Sequence, residues 1–199
     1  MLASVYFLAE IAGLDGGAAQ IALKGSAVAV LAVAAAAAAR TRDGWLLTAV
    51  MTLGALGDVL IEFYMIAGAG AFAAGHAVAI ALYLSYRRPG PLPMSQQAAA
   101  GALLITAPLL WLLAGDAKDA GIALYAALLC AMAASAWTSR FPRYRTGVGA
   151  LLFVVSDAFI LARLGGNVDP ALAELLIWPL YAAGQILIFI GVHRTLKAA

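Results

Sequence analysis

Apolar stretches separated by short polar breaks run along the whole chain and predict eight helices. They are Leu2–Leu14, Ala19–Ala39, Trp45–Ile66, Ala69–Tyr86, Gln97–Leu113, Ala120–Trp137, Gly147–Leu164 and Ala171–Val192. A bilayer span needs about 20 residues, so the first stretch is short. It is expected to tilt, to lean on its neighbours or to continue into Asp15-Gly16-Gly17. The breaks fall at turn and helix-stop residues: Thr41-Arg42-Asp43-Gly44, Gly68, Arg88-Pro89-Gly90-Pro91, Gly115-Asp116, Phe141-Pro142 and Gly165-Gly166-Asn167. No internal repeat stands out.

The charges sort by side. Arg40 and Arg42, Arg87 and Arg88, then Arg140, Arg143 and Arg145, and finally Arg194 and Lys197 follow the second, fourth, sixth and eighth stretches. The opposite loops hold Asp15, Asp116, Asp119, Asp169 and Glu174, with Lys118 as their one cation. The positive-inside rule then places both termini in the cytoplasm, which requires an even number of spans.

Composition agrees with that pattern. Of 199 residues, 65% are hydrophobic and 11% charged, and the mean hydropathy is +0.97. The expected fold is all-α: a polytopic membrane bundle of eight transmembrane helices, formed by residues 1–199 as one domain. The alanine-rich, positive-inside pattern suggests a bacterial inner membrane. No positively charged leader and small-residue cleavage site open the chain, so Leu2 onward is expected to be retained. One cysteine, Cys130, excludes an internal disulfide and any paired-cysteine metal or redox site. No basic tract points to nucleic acid, and no feature specifies an oligomeric state.

Against this background the buried charges are conspicuous. Asp58 lies in Leu53-Gly54-Ala55-Leu56-Gly57-Asp58-Val59-Leu60, and Asp157 in Leu152-Phe153-Val154-Val155-Ser156-Asp157-Ala158-Phe159. An ionisable group near the bilayer centre costs about 2.5–3.5 kcal/mol on insertion scales and usually faces a cavity. At about 1.5 Å per helical residue, Asp58 falls roughly 20 Å in from the cytoplasm, and His76 roughly 10 Å below the outer surface. Asp157 falls near the midplane. Glu62 is expected one turn beyond Asp58 on the same face. Tyr181 and Gln185 share a helix face, and Lys24, Tyr125 and Arg163 occupy similar outer levels. The pattern predicts a polar cavity open to the outer leaflet or outer water.

Each residue also has a plainer role. Asp58 and Asp157 are alternatively paired structural charges, Asp58 for instance with Lys24. His76 and Gln185 are alternatively interhelical hydrogen-bonding groups. Tyr125 and Tyr181 are alternatively packing aromatics, and Glu62, Lys24 and Arg163 alternatively snorkel.

Gly57-Asp58, Phe72, Gly75-His76, Tyr83, Tyr125, Met132, Phe153, Ser156-Asp157, Tyr181 and Gln185, in this order, resemble the YhhN-like lysoplasmalogenase family. The resemblance covers nearly the whole chain from Lys24 to Gln185. It implies an eight-helix hydrolase that cleaves the vinyl ether bond of lysoplasmalogens or a related lysophospholipid. Tyr83 and Ser156 join the expected substrate-binding set through it.

Vinyl ether hydrolysis begins with protonation at carbon and passes through an oxocarbenium ion that water attacks. It needs an acid, a negative group and a held water. The more deeply placed Asp157 is the better candidate acid and Asp58 the candidate base or cation stabiliser, with the reverse assignment open. His76 is the candidate for orienting water. Tyr125, Tyr181 and Gln185 would position substrate and water, and Lys24 or Arg163 would meet the phosphate. No cofactor and no metal are expected. Zinc held by Asp58, Asp157 and His76 would be rare ligand chemistry. Intramembrane carboxylates also suit a proton-coupled transporter, and a lipid-binding receptor would keep the cavity without turnover.

Overall fold

The computed structural model describes residues 17–198, so the expected first span, Leu2–Leu14, lies outside the described residues. Among the described residues there are seven α-helices: α1 (Gly17–Ala38), α2 (Arg42–Leu60), α3 (Met65–Ser85), α4 (Met94–Leu113), α5 (Ala120–Thr138), α6 (Val148–Leu164) and α7 (Pro170–Lys197). They correspond to the second to eighth stretches of the sequence. Six helical segments are long and apolar enough to cross a bilayer: α2 to α5, α7, and α6 with its preceding turn. In α1 the apolar part is Lys24–Ala38. The described residues form an all-helical fold, and these apolar helices mark an integral membrane protein. Exposed Phe63, Tyr64 and Ile66 at one end, and exposed Trp45 and Tyr144 at the other, fit side chains placed at bilayer interfaces.

Local chemistry starts the helices where the chain changes direction. Thr41 caps α2 by accepting a hydrogen bond from the Gly44 amide at 3.3 Å. Asp119 caps α5 through the Ile122 amide at 2.8 Å. Asp169 caps α7 by accepting from the Ala171 and Leu172 amides, with Pro170 as the first helical residue. Such caps satisfy amides that have no partner inside the helix. A wider, π-type turn at Arg143–Gly147 leads into α6.

One expected boundary is wrong. The third stretch was expected to continue to Ile66 and to break at Gly68. Instead α2 ends at Leu60, and α3 begins at Met65. The amides of Phe63 and Tyr64 both donate to the Leu60 carbonyl, closing a tight turn that contains neither glycine nor proline. Gly68 lies inside α3 and permits that turn: a Cβ there would lie 2.6 Å from the Cα of Ile61. Glu62 therefore sits in the turn and not on the helical face of Asp58. The earlier start of α3 also sets His76 roughly 16 Å along the helix from its N-terminal end, where about 10 Å was expected.

Five helices close a ring, in the order α2, α3, α5, α6 and α7, with α7 returning to α2. α1 packs over the α2–α7 seam, and α4 over α5 and α6. At the arginine-bearing end the ring is fastened by polar contacts. The Arg140 amide donates to the Tyr86 carbonyl at 2.8 Å. Arg88 Nε donates to the Ser139 carbonyl at 2.7 Å, and the Tyr86 hydroxyl to Asp43 at 2.9 Å. Burial and the neighbouring Asp43 carboxylate push the Tyr86 hydroxyl above its ordinary range, so it stays a donor.

Candidate active site

Every helix of the ring sends a polar side chain inward. α2 supplies Asp58, α3 His76, α5 Tyr125, α6 Asp157, and α7 Tyr181 and Gln185. Asp58, Asp157 and His76 are only 2%, 3% and 4% exposed, so each depends on protein partners instead of water. Lone carboxylates at this burial would be costly, and neither is alone. The Tyr181 hydroxyl donates to Asp58 Oδ2 at 2.8 Å, and the Tyr125 hydroxyl to Asp157 Oδ2 at 2.5 Å. Gln185 Nε2 donates to the Tyr181 oxygen at 3.3 Å. Each aspartate is thus held by a tyrosine from a different helix.

Between the two pairs lies an aromatic partition. Phe153, one helical turn before Asp157, stands edge-on to His76 at 5.0 Å, Tyr181 at 5.2 Å and Phe72 at 6.0 Å between ring centres. His76 in turn meets Tyr125 at 5.7 Å. His76 therefore touches both the tyrosine of one carboxylate and the ring that packs on the tyrosine of the other. Its Nε2 is buried and has no hydrogen-bond partner.

Two glycines of α2 make room for this arrangement. A Cβ on Gly57 would lie 2.8 Å from the Phe72 ring, and one on Gly54 2.9 Å from Gln185 Nε2. Ser156 is fully buried and donates to the Ile177 carbonyl at 2.9 Å, tying α6 to α7 beside Pro179.

The remaining expected residues lie apart. Lys24 pairs with Glu62 at the C-terminal end of α2, and the two are 19% and 34% exposed. Asp58 is thus held by a tyrosine hydroxyl, and Lys24, offered from the sequence as its ionic partner, forms a salt bridge with Glu62. Arg163 is exposed near the end of α6, roughly 9 Å along the helix from Asp157. Among the described residues no three histidine, cysteine, aspartate or glutamate side chains converge as a metal-holding group, so Asp58, His76 and Asp157 do not form the zinc set considered from the sequence.

A small pocket adjoins the layer, and His76, Tyr83, Gln185 and Phe153 are in its wall. Its other walls are Val50 and Gly54 before Asp58 in α2, Phe72 and Gly75 before and Ala79 after His76 in α3, Met132 after Tyr125 in α5 and Ile188 after Gln185 in α7. Phe72 and Gly75 apart, these residues lie toward the arginine-bearing loops. The pocket is thus on the opposite side of the carboxylates from the outward-opening cavity expected from the sequence. Phe153 and Phe72 were named only through the family resemblance, and Ala79 not at all, because an apolar side chain in an apolar helix has no contrast. Only Gly54 and Gly57, small residues beside Asp58, hinted that large side chains pack there.

A ring of membrane helices that holds carboxylates away from water is the class defined by this fold and layer. The chain belongs to the YhhN family, whose family model matches residues 19–192. It is 33% identical to a protein named lysoplasmalogenase from Mycobacterium bovis, in an alignment covering 86% of this chain and 69% of that protein. A lysoplasmalogenase from Mycobacterium tuberculosis matches with the same identity and coverage. No solved structure matches significantly. The chain is an enzyme of this family, a hydrolase.

Proposed function

We propose that this hydrolase cleaves the vinyl ether bond of a lysoplasmalogen, or a closely related lysolipid, to a fatty aldehyde and a glycerophospho-headgroup. The observation that carries the reading is the pair of buried carboxylates, each bonded to a tyrosine hydroxyl, on either side of His76. The substrate class comes from the names of the mycobacterial relatives.

The reaction then runs as two proton exchanges. Asp157, as the acid, protonates the vinyl carbon remote from oxygen, and the Asp58 carboxylate faces the resulting oxocarbenium ion. A water held at His76 Nε2 adds to the cation and gives its proton to Asp58. The hemiacetal collapses as Asp58 returns that proton to the departing glyceryl oxygen, while the hemiacetal hydroxyl proton goes to Asp157. Both carboxyls recover their starting states, and no cofactor is consumed. Tyr125, Tyr181, Gln185, Ser156 and Tyr83 position the groups and walls around the chemistry, and Lys24 meets the phosphate. Purified protein in detergent is expected to release aldehyde from a lysoplasmalogen and none from an ester-linked lysolipid. Proton-coupled uptake into vesicles without any aldehyde would replace this reading by a carrier.

Gly54→Ala tests the positioning role of Gln185. The clash falls on the far end of a flexible amide, so the protein should fold while Gln185 swings away from Tyr181. Losing one neutral hydrogen bond should lower turnover by up to about tenfold. Unchanged turnover would remove Gln185 from the site.

The same reading gives one domain of eight spans in a bacterial inner membrane, with both termini and the arginine loops in the cytoplasm. A reporter after Ala199 should signal in the cytoplasm, and one inserted near Asp116 outside it. The opposite result would invert the orientation.

A further inference from the structure

We propose that the pocket on the arginine side of the carboxylates receives the aliphatic chain of the lysolipid, and that its depth sets the preferred chain length. The identity of this occupant rests on the hydrolase reading above. The substrate then lies along the ring axis, its headgroup toward the Lys24–Glu62 end and its tail toward the arginine loops.

Three observations lead there. The pocket begins where the polar layer ends, because His76, Gln185 and Phe153 belong to both. Beyond them its walls are Val50, Ala79, Met132 and Ile188, which offer hydrocarbon and thioether surface. A chain with one polar end and one apolar end matches that polarity, whereas a polar solute would leave the inner walls unused. The third is a firm floor. Tyr83 is 2% exposed and meets Phe141 at 5.8 Å. Phe141 also packs on Tyr86 at 4.6 Å, and Tyr86 is tied to Asp43 and lies under the Arg140 guanidinium at 5.5 Å. From His76 to Tyr83 along α3 is roughly 10 Å, which limits the chain that fits without displacing the floor.

A lysophosphocholine with a saturated octyl ether and a diazirine at the chain end tests the placement directly. It has no double bond to protonate, so labelling is read independently of hydrolysis. Illumination is expected to label Tyr83, Met132 or Ile188. Val50→Phe, which fills the pocket from a half-buried wall, should weaken that labelling about tenfold. Ile188→Ala should shift the best labelling to a longer chain, and it keeps the test alive should Val50→Phe misfold. Label confined to lipid-facing Leu104 and Ile105 or to the Phe63–Ile66 turn, or no label on the protein, overturns the proposal. Pocket labelling together with no aldehyde from a lysoplasmalogen supports it and overturns the hydrolysis reading instead.

Discussion

Asp157→Asn and Asp58→Asn are each expected to cut aldehyde release about 100-fold or more while leaving the protein folded, because asparagine keeps the shape and loses the proton chemistry. Each can still accept the hydrogen bond that Tyr125 or Tyr181 now donates. The double variant should be little worse than either single one, since groups that exchange protons in one cycle fail together. Rates measured in detergent, with thermal unfolding as the folding control, decide it. Full activity in both single variants would end the acid/base mechanism, and multiplied losses would show two independent roles.

Gly149→Ala should produce a large loss of stability. Gly149 of α6 and Gly184 of α7 meet backbone to backbone. A Cβ on Gly149 would lie 2.7 Å from the Gly184 carbonyl oxygen and 2.9 Å from the Ile188 amide nitrogen, and one on Gly184 would lie 2.8 Å from the Gly149 oxygen. Neither neighbour is the end of a flexible side chain, so the helices themselves must separate. Overpacking of this kind costs about 1–3 kcal/mol or more, which should lower Tm by about 5 °C or more. Activity should fall as well, because Asp157 and Tyr181 ride on the two displaced helices. Gly149→Ala combined with Gly184→Ala should cost less than the sum, since either alone opens the seam. An unchanged Tm would refute the close approach.

The helices were legible because each is a long apolar run bounded by turn residues, whereas the caps made by Thr41, Asp119 and Asp169 emerged only in the structure. The turn after Leu60 was not: it has no glycine or proline, and the nearby Gly68 drew the boundary four residues too far. Asp58 and Asp157 stood out because a charge in an apolar run is rare. Tyr125 and Tyr181 were expected nearby, but which tyrosine holds which carboxylate was not legible, because nothing along the chain ties Asp58 to a tyrosine 123 positions away. The side on which the pocket opens was hidden for a different reason. It depends on small residues, Gly54, Gly75 and Ala79, facing larger ones across the ring, and sequence order says nothing about which of them face each other.

On the proposed mechanism, the separation of 123 positions between Asp58 and Tyr181 also governs when the protein can act. A nascent chain that has delivered α1 to α6 into the bilayer already carries Asp58, His76, Tyr125 and Asp157. The ring is still open, and Asp58 still lacks the hydroxyl that holds it. Only insertion of α7, the last helix, brings Tyr181 and Gln185 and closes the circle. Biosynthesis therefore acts as a built-in delay, and a polypeptide cut short before Pro170 holds both carboxylates without the means to arrange them.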